Sequence, residues 1–118
     1  MSTAVAERIY NLYAAFNDRN SEFVVQQMTS GVEWPRAFKG GFVQGQDAVR
    51  TYWENQWREI DPRVDPVSIE PLEDGRVHVE VHQVVRDLDG SVIADSIVHH
   101  IYTFDGEAIS RMEVVTGD

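Results

Sequence analysis

The chain has no cysteine, and Lys39 is its only lysine. Without cysteine there are no disulfides, thiolate nucleophiles or thiolate metal sites, and the absence fits a cytoplasmic location. Basic residues are few, so the formal net charge is −10. Such a chain repels phosphate backbones and anionic membrane surfaces, so neither nucleic acid nor a membrane is an expected partner. Long apolar runs are missing too; none approaches the length that spans a bilayer. Glu7 and Arg8 precede any apolar stretch, so a cleaved signal peptide is not expected. Gly-x-Ser-x-Gly is absent, which leaves a serine hydrolase without support. Gly40-Gly41-Phe42 has neither the spacing nor the preceding strand of a phosphate or dinucleotide loop. What is present is 118 residues, the size of one domain (1–118) with a real core.

Three Asp-Gly pairs, at 74–75, 89–90 and 105–106, punctuate the second half. Asp-Gly between apolar runs marks tight hairpins, because both positions tolerate positive φ. The pairs divide Val64–Val115 into four strands of an antiparallel meander. The first half reads differently. Val5, Ile9, Leu12, Tyr13 and Phe16 form one stripe of a helix over Thr3–Asn17. Ser21 caps a shorter helix through about Met28, with Phe23, Val24 and Met28 facing inward. Gly31 opens a short strand, Val32-Glu33-Trp34, which Pro35 ends. Arg36–Gly45 is a loop in which Phe38 and Phe42 flank two glycines, as a mobile flap or a covered turn. Gln46–Ile60 is a third helix, stopped by Asp61-Pro62. Its stripe of Val49, Tyr52, Trp53, Gln56, Trp57 and Ile60 is either core or cavity lining. Helices followed by an antiparallel sheet make an α+β fold.

Strand alternation sorts the side chains. A two-residue Asp89-Gly90 turn sets Leu88 opposite Ser91. Val77, Val79, Val81, Gln83 and Val85 then share the helix-facing side with Ala94, Ser96, Val98, His100 and Tyr102. In the last strand Met112 and Val114 face inward, given a three-residue turn at Asp105-Gly106-Glu107. His100 is either a buried histidine satisfied by a backbone or tyrosine partner, or a pocket acid, base or hydrogen-bond donor. Gln83 and Ser96 either satisfy each other or read a polar group on a substrate. On the opposite face His99 opposes Glu80 as a surface ion pair. Ile93, Ile97, Ile101 and Val84 are exposed there among polar groups, the pattern of an interface. No metal site is expected. His78 and His82 lie about 13 Å apart at strand rise, and His99 and His100 point to opposite faces.

The order of elements, the segment Gly45-Gln46-Asp47-Ala48-Val49 and the ending His100-Ile101-Tyr102-Thr103-Phe104-Asp105-Gly106-Glu107-Ala108-Ile109 resemble the NTF2-like superfamily. Its SnoaL-like and ketosteroid-isomerase-like branch is the most similar. The resemblance implies a cone in which three N-terminal helices pack on a curved antiparallel sheet around a deep apolar pocket. It implies a cofactor-independent enzyme of isomerase, cyclase or dehydratase type, acting on a hydrophobic polyketide-, terpenoid- or steroid-like molecule. A non-catalytic binding or scaffold protein on the same fold is the alternative. By this resemblance His100 stands where ketosteroid isomerases carry a protonated aspartic acid, and Tyr13 near the tyrosine that completes the oxyanion hole. These two are the candidate catalytic residues. Trp34 stands where those enzymes carry the catalytic aspartate, and an indole cannot abstract a proton. Glu33, beside it, points the other way. Trp34, Phe38, Trp53, Trp57, Gln83, Val98 and Met112 are the candidate substrate-binding residues. An epoxide-hydrolase-like Asp–Arg–Asp set finds no inward residues. Members of the superfamily commonly pair through the outer sheet face, which implies a homodimer.

Overall fold

A computed structural model describes residues 3–36 and 40–116. In chain order the elements are α1 (Thr3–Asn17), α2 (Ser21–Gln26), β1 (Met28–Pro35), β2 (Phe42–Gln44), α3 (Gln46–Trp57), β3 (Ile60–Pro71), β4 (Val77–Asp87), β5 (Val92–Asp105) and β6 (Ala108–Thr116). One six-stranded sheet runs β2-β1-β6-β5-β4-β3. The expected meander is present as β3 to β6. The sheet is mixed rather than antiparallel throughout, because β1 lies parallel to β6. Phe42–Gln44, expected in a loop, pairs antiparallel with β1. No helix among the described residues is long and apolar enough to cross a membrane.

The apolar stripe of α1 is buried at Ile9, Leu12 and Tyr13. The helix ends through Arg19, a non-glycine residue at φ 64°. That left-handed turn has a cost for an L-residue, and the Arg19 side chain offsets it. Its guanidinium lies over the Trp57 ring at 5.1 Å and pairs with Asp61. Asn20, not Ser21, caps α2, its side chain accepting from Phe23 N at 3.2 Å. Phe23 is consequently turned outward. Met28 leaves the helix for β1, where it pairs with Ile109. Sheet pairing overrides a local helical preference there.

At the other end of α3, Ile60 likewise belongs to a strand and pairs with Asp87. Pro62, Pro66 and Pro71 all lie within β3. A strand tolerates prolines at a sheet edge, where no neighbour needs their missing N–H, and β3 is an edge.

The expected pairing of β4 with β5 holds from Val77↔Tyr102 to Val85↔Ala94. Its turn does not. Asp87, rather than Leu88, meets Ser91, through Asp87 N–H donating to Ser91 O at 2.9 Å. The one-residue error is cancelled by a bulge at Ile93 between Val85 and Arg86. The β5–β6 hairpin repeats the pattern. Asp105 pairs with Ala108 across two residues, and a bulge at Ser110 restores the parity that turns Met112 inward. On the outer face Glu80 is opposite His99 in register, but His99 meets His78, Nδ1 to Nε2, at 2.8 Å. His82 meets Asp95 at 2.7 Å along the same diagonal. Sheet twist brings these diagonal partners together and separates the directly opposed pair.

Asn17 fastens the helical layer to β3. Its amide donates to Val64 O at 2.8 Å and its carbonyl accepts from Val64 N at 2.9 Å. Asn17→Ala is expected to lower stability by about 2 kcal/mol, two net hydrogen bonds, in urea denaturation. A loss below about 0.5 kcal/mol would show the contact to be dispensable.

Candidate functional site

The helices and the inward sheet face enclose a cavity of about 280 Å³. Of the expected site residues, Tyr13, Trp34, Trp53, Gln83, Val98, His100 and Met112 line it. Trp57 does not. It packs behind the wall, against Phe16 at 5.4 Å and Trp53 at 6.2 Å, beneath Arg19. Its helical position puts it on the correct stripe but a turn too far along to reach the cavity. Phe38 lies outside the described residues. Trp34 meets Trp53 edge to face at 5.3 Å and lines the cavity rather than filling it.

His100 and Tyr13 come together from β5 and α1. The Tyr13 hydroxyl lies 2.7 Å from His100 Nδ1, and the Tyr102 hydroxyl donates to it at 2.8 Å. All three residues are buried. Both hydroxyl protons find acceptors in one arrangement only: Tyr102 donates to Tyr13, and Tyr13 donates to Nδ1. The histidine proton then sits on Nε2, which has no hydrogen-bond partner among the described residues. Tyr102 was on the predicted inward face two residues from His100 but had no assigned role. Alternation places it there, but only the packing of α1 brings its hydroxyl to Tyr13.

Burial, with a smaller contribution from His99, lowers the His100 pKa to about 4. Burial raises Tyr13 well above its ordinary range, and raises Tyr102 likewise. Near neutral pH the relay is therefore uncharged throughout. The only basic nitrogen, Nδ1, already accepts from Tyr13, so His100 offers the cavity a donor and not a base.

No carboxylate lines the cavity among the described residues. Glu33 faces away and pairs with Arg111 at 3.0 Å. Gln83 and Ser96 oppose each other in register and both line the cavity. Neither side chain has a hydrogen-bond partner among the described residues, so both are open to a ligand. No group of three or more potential metal ligands occurs among the described residues.

No family model and no curated protein sequence matches the chain. Solved structures do. TerC, co-crystallised with polyporic acid, is 25% identical with a TM-score of 0.81, covering 96% of this chain and 91% of TerC. An NTF2-like protein of unknown function from Burkholderia pseudomallei is 19% identical with a TM-score of 0.83, covering 98% of this chain and 92% of its own. The epoxide hydrolase/cyclase-like enzyme SalBIII, concerned with pyran ring formation in the polyether salinomycin, is 16% identical with a TM-score of 0.80, covering 97% of this chain and 91% of its own. The fold is thus an NTF2-like α+β fold.

A histidine whose pKa is about 4 folded and 6.5 unfolded binds its proton more readily in the unfolded chain. Its contribution to stability is present above about pH 6.5 and is lost as pH falls through about 4, by about 3 kcal/mol. His100→Gln, which cannot titrate, is expected to show that much less acid destabilisation in urea titrations between about pH 7 and pH 4. Parallel pH profiles for the two proteins would contradict a buried neutral imidazole.

Proposed function

We propose that the chain is a cofactor-independent small-molecule enzyme of cyclase, isomerase or dehydratase type. Its substrate is a hydrophobic, carbonyl-bearing ring or chain of polyketide, terpenoid or steroid character. The observation that carries this reading is the Tyr102–Tyr13–His100 relay, which leaves the His100 Nε2–H without a partner among the described residues. His100 is the donor to a carbonyl oxygen on which negative charge collects as the adjacent bond reacts, and Tyr13 holds its tautomer. In an apolar cavity such a donor is worth about 10²- to 10³-fold in rate. The aromatic walls, Trp34 and Trp53 foremost, hold the ring. Gln83 and Ser96 orient a second polar group.

Among the described residues the lining supplies no carboxylate base. That favours reactions in which the substrate carries its own nucleophile or leaving group, such as ring closure or loss of water. SalBIII and its pyran ring formation, and the TerC crystals with polyporic acid, support a small-molecule reading. The same missing base favours one alternative, a binding protein that returns its ligand unchanged.

Substituted 2-naphthols test the donor, with quenching of the cavity tryptophans as readout. Affinity is expected to rise with naphthol acidity in the wild type and to lose that dependence in His100→Leu. A merely apolar pocket would give no dependence in either protein. Turnover of a substrate recovered by native mass spectrometry separates enzyme from binding protein.

We also propose a homodimer through the outer sheet face. Ile97 and Val115 are exposed there beside the His78–His99 pair, while Ile93, expected on that face, is turned off it by its bulge. Sedimentation is expected to give twice the chain mass, and Ile97→Arg a monomer. A monomeric wild type would discard the interface.

A further inference from the structure

Beside the cavity lies a second hollow of about 370 Å³. Tyr52 and Gln56 from α3, with Val85 and Ala94 from the sheet, line both spaces. These four residues stand between the two spaces as two paired units, here called the neck. Gln56 Nε2 donates to the Tyr52 hydroxyl at 3.2 Å on the helix side. Val85 and Ala94 are register partners on the sheet side. Beyond the neck the walls differ in chemistry. Ile60 and Ile93 make one side apolar, and Asn55 and Glu59 make the other polar. Strict alternation would turn Ile93 away from the face that Ala94 occupies. The bulge re-aims it, so that both residues line the same hollow. Glu59 is the only acidic or basic side chain lining either space among the described residues, apart from the neutral His100.

We propose that the outer hollow is a second subsite for the same ligand. It takes an apolar arm that leaves the ring held at His100, passes the neck, and ends in a hydrogen-bond donor facing Glu59 and Asn55. A hydroxyl, an amide N–H or an ammonium meets that requirement. The proposal rests on the reading of the inner cavity as the ring site. That cavity, at about 280 Å³, lies at the small end of the roughly 300–1,000 Å³ usual for ligand sites. A ring fills it, and the arm leaves it between Tyr52–Gln56 and Val85–Ala94. A carboxylate or phosphate end is disfavoured, because it would meet Glu59 with no cation among the described residues lining the hollow to offset the repulsion.

Three probes test this on the intact chain by tryptophan quenching. They are 2-naphthol, a 2-naphthol with a short alkyl arm ending in ammonium, and its carboxylate-ended counterpart. The ammonium arm is expected to improve affinity over bare 2-naphthol by about tenfold, as one charge-assisted contact. The carboxylate arm is expected to give no gain. Glu59→Gln should bring the two armed probes within about threefold of each other. Ile93→Lys, at an exposed position, should reverse their order. Bare 2-naphthol binding with no gain from the ammonium arm overturns the subsite alone. So does a preference that survives Glu59→Gln, since it would come from the net charge of the whole chain. Saturable binding of none of the three probes overturns the ring-site reading and the subsite with it.

Discussion

An imidazole removed from water must have its nitrogens accounted for, and the site depends on how His100 meets that demand. Unpaired buried polar groups cost about 1–3 kcal/mol each. Here the Tyr13 hydroxyl occupies Nδ1, and Tyr102 occupies the oxygen of Tyr13. The chain of bonds sets the tautomer and leaves the remaining N–H for the cavity. It also couples α1 to β5, elements far apart in sequence, so the polar centre helps to hold the helix on the sheet. Burial pushes the histidine and the tyrosines in opposite directions, and each stays uncharged.

Charge is arranged around that centre by exclusion. A chain of net charge −10 keeps its carboxylates off the described walls of the inner cavity. They pair outside instead, Glu33 and Glu113 with Arg111, Asp61 with Arg19, Asp95 with His82. The result is an uncharged interior with a few directed hydrogen-bonding groups, which suits stabilisation of developing charge better than proton abstraction.

The β-bulges at Ile93 and Ser110 set the geometry of the site. Each offsets a turn that differs by one residue from the expected one, three residues in place of two at Asp89-Gly90 and two in place of three at Gly106-Glu107, so that His100, Gln83 and Met112 still face inward. The bulge at Ile93 also shapes the outer hollow. Without it Ile93 would join the opposite face.

Much of this was legible in the residues. The stripe of α1 gave its full span, because amphipathic periodicity is a local property of the chain. The alternation of β4 and β5 put Val79, Gln83, His100 and Tyr102 on one face, because the hydrophobic set of a half-buried strand tolerates only one parity. Composition excluded thiol chemistry outright. Other features belong to the tertiary structure. Met28 and Ile60 exchange helix for strand because their neighbours in the sheet are remote in sequence. The parallel seam of β1 and β6 has no local signature for the same reason. Trp57 lies on the predicted stripe yet outside the lining, since the depth of a cavity depends on how far α3 runs past the sheet. The partnership of Tyr13, Tyr102 and His100, and with it the tautomer, was decided only by packing. Local pattern determines which way a side chain points, but hydrogen bonds between remote elements depend on distances that only the assembled fold supplies.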